Sequence, residues 1–204
     1  MPVTTVWMIR HAQADAAVSD PRLRPLTGQG SRDAKRITEL LRNQGVSRVF
    51  SSPYRRAMDT VSDFAREAGL PVMTDRGFCE FHAGKPMPEA EFLRYVQDCF
   101  RDPTYMKGGG ESLEGLQNRV WRSLRQILNA CPGQSAAVGT HGVALSALVS
   151  RFAPSFGYEG FLRVLPRTPL AARMDFEGVE CLKIELIDPK EPRAEGLGVV
   201  WKRD

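Results

Sequence analysis

Short apolar runs alternate with amphipathic stretches along this chain, and that alternation constrains its fold more than any other feature. Thr4–Ile9, Val46–Phe50 and Ala136–Thr140 read as strands, the last of a fully buried type. Between them, Ala34, Ile37, Leu40 and Leu41 share one face of a helix over about 31–43, which Gly45 stops. Ser52 reads as an N-cap with Pro53 at the first helical position, opening a helix that runs to about Ala68 and closes at Gly69. Ser112 caps a long helix striped by Leu113, Leu116, Val120, Leu124 and Ile127, and an apolar helix covers Val143–Phe152. Pro71–Thr74 is a weak third strand, and Leu170–Phe176 and Cys181–Ile187 are late ones, turning near Glu177-Gly178. The pattern implies an α/β domain with a largely parallel sheet. The tail, 188–204, is polar and shows no clear pattern.

A chain of 204 residues suits one domain, 1–204. Twenty-eight basic against twenty-four acidic residues give a net charge of +4. The arginines are scattered and form no single stripe, which argues against nucleic-acid binding and for a solvated surface that attracts anionic substrates. No run approaches the ~20 apolar residues of a membrane span. The N-terminus has no basic leader and too short an apolar run for a signal peptide, so a cytoplasmic location is expected. Cys79, Cys99, Cys131 and Cys181 make no CxxC pair, so neither a zinc site nor a disulfide framework is signalled.

Candidate chemistry gathers where strands end. Arg10-His11 follows the first strand, Ser51–Arg56 the second, and His141-Gly142 the fourth. In open α/β sheets, ligands bind beyond the carboxyl ends of strands, so these distant segments can meet in one cleft. A neutral imidazole attacks phosphorus, and a guanidinium holds phosphate by paired hydrogen bonds. Read alone, each histidine is more often structural. Gly142 allows close backbone approach to a ligand, and a phosphate at the helix start beside it would gain from the dipole. Arg55 and Arg56 lie in a helical first turn, where a cation opposes the dipole unless an anion is near. Glu80, among apolar neighbours, is a candidate proton donor. His82 is a weaker member of the set. Metal binding by His11, His141 and Glu80 lacks supporting spacing, and no metal or cofactor is expected.

Six ordered elements resemble the histidine phosphatase (phosphoglycerate mutase-like) superfamily. They are Arg10-His11-Ala12, the run Leu26 to Ala34, Ser51 to Thr60, Glu80–Gly84, Gly110-Glu111-Ser112 and His141-Gly142. The resemblance implies a three-layer α/β/α fold with a small helical cap insertion at 82–110, which holds a short helix near Glu89–Phe100. It implies that His11 becomes phosphorylated while Arg10, Arg56 and His141 bind the phosphate oxygens, and it selects Arg56 over Arg55. Glu80 would protonate the leaving oxygen and help activate water. Gln13, Ser52 and Gly142 are secondary phosphate-binding candidates. In this superfamily a backbone carbonyl often orients the nucleophilic ring. Ala12 and Val143 stand where the family commonly has glycine, and Arg167-Thr168-Pro169 replaces its late Asn-containing segment.

Only about thirty residues separate Glu80 from Gly110. That short insertion resembles the phosphatase branch more than a phosphoglycerate-type mutase. The expected substrate is a small phosphomonoester, with broad specificity. A non-catalytic phosphate-binding scaffold is the rival class, and a homodimer is left open.

Overall fold

Alternate residues of the first strand, β1 (Val3–Arg10), face two different cores. Val6 and Met8 pack with Ala136 and Val138 of β4 (Ser135–Thr140) against α4 (Leu113–Ala130) and α5 (Gly142–Phe152). Trp7 and Ile9 pack on the other face with Ile37 and Leu41 of α1 (Gly28–Leu41) and Val61 and Phe64 of α2 (Arg55–Glu67). A strand covered on both sides must be apolar at successive positions, which is why these strands read as runs. Each fully buried aliphatic or aromatic side chain contributes roughly 1.5–3 kcal/mol. The result is a helical layer on each face of one sheet.

The structure, a computed structural model, describes residues 2–191 and 197–203. Its other elements are β2 (Val46–Ser51), β3 (Val72–Thr74), α3 (Glu89–Arg101), α6 (Gly157–Val164), β5 (Leu170–Glu177), β6 (Glu180–Ile187) and β7 (Gly198–Lys202). The strands form one sheet in the order β3-β2-β4-β1-β5-β6-β7. Pairings β3/β2, β2/β4 and β4/β1 are parallel, whereas β1/β5, β5/β6 and β6/β7 are antiparallel. The sheet is therefore mixed and not largely parallel. The cause is local: β5, β6 and β7 follow one another as a meander that needs no helical crossover.

Three further differences bear on the site. Residues 157–164 form α6, which Pro154, Gly157 and Gly160 mask in the sequence pattern. A seventh strand, β7, lies in the tail that appeared featureless. Finally, α2 begins at Arg55, and Tyr54 occupies its N-cap without a side-chain cap bond. Ser52 lies three residues before the first helical residue, and its hydroxyl accepts from Tyr54 N at 3.2 Å without capping the helix itself.

The start of α1 is fixed by a close approach. Thr27 Oγ1 accepts from Gly30 N at 2.9 Å, and Gly30 packs on the backbone of the segment that follows β1. A Cβ at Gly30 would run into the Gln13 carbonyl oxygen and lie 3.0 Å from its carbon. Gly30→Ala is therefore expected to destabilise the fold by about 1–3 kcal/mol, as overpacking does. Urea melts read this directly; a neutral Gly30→Ala would show that the contact yields.

Candidate active site

β1 and β4 run parallel with Arg10 level with Thr140, and His11 N donates to Thr140 O at 3.0 Å. The residues that follow these strands therefore leave the sheet together. The rings of His11 and His141 lie edge to face, 5.2 Å apart. β2 stops beside them: Ser52 N donates to Gly139 O at 2.8 Å, leading the chain into Tyr54 and Arg56.

The backbone at His11 is fixed from both sides. Ala12 N donates to Thr60 Oγ1 at 3.0 Å, and Thr168 Oγ1 donates to His11 O at 2.7 Å. His11 Nδ1 lies 2.8 Å from the Ala12 carbonyl oxygen, which only accepts, so Nδ1 carries the ring proton. Nε2 is then the lone-pair nitrogen, and it accepts from Arg56 Nε at 2.9 Å. Burial, followed by the charge of Arg56, pushes the His11 pKa down to about 3.

His141 is fully buried, and burial, followed by His11, holds its pKa well below the ordinary value. Its Nε2 lies 2.7 Å from Ser52 Oγ, which also accepts from Tyr54 N at 3.2 Å. A hydroxyl that accepts from Tyr54 can donate to Nε2, which leaves the His141 proton on Nδ1. That atom is buried and has no partner among the described residues. Ser52, expected at the phosphate, instead orients this ring.

The two guanidiniums are held by main chain. Arg10 Nη1 donates to the carbonyls of Val164 and Leu165 at 2.8 Å and of Arg167 at 3.0 Å, at the C-terminal end of α6. Its Nε is buried and has no partner among the described residues. Gly142 makes this placement feasible, since a Cβ there would lie 3.2 Å from Arg10 Nε. Arg56 also donates to the Pro21 carbonyl, and its guanidinium stacks 5.1 Å over the Tyr54 ring. Burial lowers the pKa of both arginines, and the charge of Glu80 opposes that shift. Arg56 is buried, whereas Arg55 is exposed and paired with Asp59 at 3.4 Å.

Glu80 takes the start of α5, where a phosphate was expected. Its Oε1 accepts from Phe81 N at 2.8 Å and Ala144 N at 3.1 Å, and its Oε2 from Val143 N at 3.3 Å. A carboxylate there uses both the free N–H groups and the positive end of the helix. Glu80 also lines a cleft of about 420 Å³ with Tyr54, Arg56, Phe81 and Phe92. Arg119, which motif reading overlooked, clamps the Glu80 loop. It forms a two-pronged bond with Glu111 and donates to the Gly77 and Cys79 carbonyls at 2.8 and 3.0 Å.

A model of the histidine phosphatase superfamily (branch 1) matches residues 6–169. The chain belongs to that superfamily. Among its relatives is phosphoglycerate mutase-like protein 4 of Arabidopsis thaliana, 34% identical over 143 residues. That match covers 64% of this chain and 61% of the plant protein, so the chain spans about three-fifths of that relative. "Probable phosphoglycerate mutase GpmB" of Salmonella paratyphi A is 27% identical over 158 residues, covering 71% of this chain and 73% of that one. The fold is shared with Bacillus stearothermophilus YhfR (TM-score 0.71, 20% identity, 87% and 94% of the two chains). It is also shared with a mycobacterial glucosyl-3-phosphoglycerate phosphatase (TM-score 0.70, 19% identity, 90% and 97%).

Of the residues singled out from sequence, the histidine phosphatase fold of this chain brings Arg10, His11, Ser52, Arg56, Glu80, His141 and Gly142 into one region. Gln13 is exposed, and its Oε1 accepts from Thr27 Oγ1 at 2.8 Å, which ties it to the start of α1. His82 is exposed at the cleft rim. Tyr54, whose ring lies 5.0 Å from that of His141, joins the site unforeseen. Among the described residues, no group of three or more His, Cys, Asp or Glu side chains is placed to hold a metal ion, and no helix is long and apolar enough to cross a membrane.

Neutral histidines have a measurable consequence. The unfolded His11 ring takes up a proton near 6.5, but the folded ring does so only near 3. The stability it supports is therefore complete above pH 6.5 and declines as pH falls toward 3. Ring NMR signals of His11 in the unliganded protein should stay unchanged between pH 8 and 5; a midpoint near the ordinary histidine value would contradict the burial argument.

Proposed function

We propose that this chain hydrolyses phosphomonoesters through a phosphohistidine on Nε2 of His11. The observation that supports this most is the state of that ring: neutral, with Nδ1 committed to the Ala12 carbonyl and the Nε2 lone pair beside Arg56. An incoming phosphoryl group takes Arg56 Nε away from His11 and frees the lone pair for attack. Arg56, the unpartnered Nε of Arg10 and Nδ1–H of His141 then meet the phosphate oxygens. Phosphoryl transfer depends chiefly on such positioning and charge compensation.

In the first step the N–P bond forms and the P–O bond to the leaving group breaks, while the proton that a monoanionic phosphomonoester brings in passes through Glu80 to the departing oxygen. In the second step Glu80 takes a proton from water as water attacks phosphorus. The N–P bond breaks, inorganic phosphate leaves, and His11 returns neutral. None of these transfers calls for a metal. The mutase names among the relatives support a second reading, in which the phosphoryl group returns to another hydroxyl. Phosphate release against isomerisation of phosphoglycerate separates the two.

Hydrolysis of an aryl phosphate with chelator present should vanish in His11→Ala. Retained turnover would remove His11 as nucleophile, and binding without turnover in the unaltered protein would favour a scaffold. Arg56→Ala should lower kcat/KM by about a hundredfold or more, against roughly twofold for Arg55→Ala; similar losses would contradict the assignment. Glu80→Gln should slow alkyl phosphates more than nitrophenyl phosphate, and an equal loss would exclude the acid role.

A further inference from the structure

The carboxylate of Glu80 and its main chain are held by different partners. The segment that carries it begins with a close approach: Gly77 lies against Ser123 of α4, where a Cβ on Gly77 would stand 2.7 Å from that of Ser123. Arg119 is one turn earlier on the same helix, and its Nη1 donates to the Gly77 and Cys79 carbonyls at 2.8 and 3.0 Å. Between those two, the Phe78 carbonyl accepts from Thr140 Oγ1 at 2.9 Å, at the end of β4 and next to His141. Arg119 Nη2 reaches the Glu80 carbonyl at 3.4 Å. Four successive carbonyls, from Gly77 to Glu80, thus have donors.

Beyond Glu80 the chain is pinned again. Glu111 Oε1 accepts from His82 N at 2.9 Å, and Glu111 N donates to His82 O at 2.8 Å. His82 and Glu111 flank the stretch that contains α3, so these bonds close its base. The Glu111 carboxylate grips Arg119 with both oxygens, at 2.6 and 3.2 Å. Such a two-pronged pair fixes direction as well as distance. Arg119 stands behind the cleft and is not among its lining residues. None of these bonds touches the Glu80 carboxylate.

We propose that Arg119, held by Glu111, is a positioning residue for proton transfer through Glu80. The carboxylate rests on the N–H groups of Phe81, Val143 and Ala144, and it leaves those of α5 to reach the departing oxygen. With the main chain fixed, side-chain torsions alone carry it there and back, which keeps its reach constant. Without the clamp the segment shifts, and Glu80 seldom meets the departing oxygen, although His11, Arg10 and Arg56 stay in place. This inference rests on the phosphomonoesterase reading and adds to it a residue that touches neither substrate nor phosphate.

Leaving-group dependence tests it. In Arg119→Met, kcat for glycerol 3-phosphate, a poor leaving group, should fall about a hundredfold, the cost of misplacing a catalytic group by about 1 Å. For nitrophenyl phosphate, which needs little protonation, the loss should be about threefold. The inhibition constant of inorganic phosphate should stay within about twofold, because phosphate binding is untouched. The ratio of the two esters cancels the amount of folded protein. Equal losses on both esters, or a clear weakening of phosphate inhibition, overturn the proposal.

Two further variants locate the cause. Arg119→Lys keeps the charge, which acts on His141, but not the planar fork, so most of the loss on glycerol 3-phosphate should remain. Full activity there would mean that charge alone matters, and would overturn the clamp. In a Glu80→Gln background, Arg119→Met should leave the ester ratio unchanged, since residues that act through one group are not additive. A second fall in the ratio would overturn the proposal as well. Absence of His11-dependent hydrolysis in the unaltered protein would remove the phosphatase reading and this inference together. His11-dependent hydrolysis with parallel losses would remove this inference alone.

Discussion

Parallel pairing of β1 with β4 puts Arg10 level with Thr140 and hands the next residue of each strand, His11 and His141, to one point beyond the sheet. β2 joins the other side of β4, with Ser51 level with Gly139, and so delivers Ser52 and then Arg56 to the same place. Three segments far apart in sequence converge because three parallel strands end together. The antiparallel half of the sheet contributes differently. The loop before β5 brings Thr168 to the His11 carbonyl, and α6 presents its last carbonyls to Arg10.

That convergence concentrates buried cationic and imidazole groups near the carboxylate of Glu80. Burying charge without a partner is costly, and the protein responds in two ways. The imidazoles stay neutral, with His11 depressed to about 3. The guanidiniums cannot discharge, so carbonyls solvate them, as the end of α6 does for Arg10. Glu80 offsets part of the charge from the mouth of α5. The remaining excess favours an anion, and orientation of each donor is already set by the fold. A dianionic phosphoryl group suits this field, which is the physical link between the architecture and the proposed chemistry.

Much of this was legible in the sequence. Strands buried on both faces produce unbroken apolar runs, and helix faces produce stripes, so β1, β2, β4, α1 and α4 stood out. The histidines stood out because their motifs lie at strand ends, and the family resemblance picked Arg56 over Arg55. Features set by contacts between distant segments were not. The Arg10 hydrogen bonds to α6 use backbone atoms, which leave no trace in residue identity. Ser52 resembles a helix cap locally, and only the nearness of His141 reveals its actual partner. Glu80 at the start of α5 and Arg119 on the Glu80 loop likewise depend on tertiary packing. The sheet's mixed character followed from a meander whose last strand is only five residues long and half exposed.

The central claim concerns one nitrogen atom, and a trapped intermediate tests it most directly. The protein is mixed with a phosphomonoester that has a good leaving group, quenched in alkali within one turnover, digested and sequenced by mass spectrometry, with NMR of the labelled peptide to locate the phosphorus. The account predicts a phosphoryl group on His11, attached at Nε2, that forms and decays at rates compatible with turnover. Turnover with no labelled His11, or with phosphorus attached at Nδ1, would contradict it.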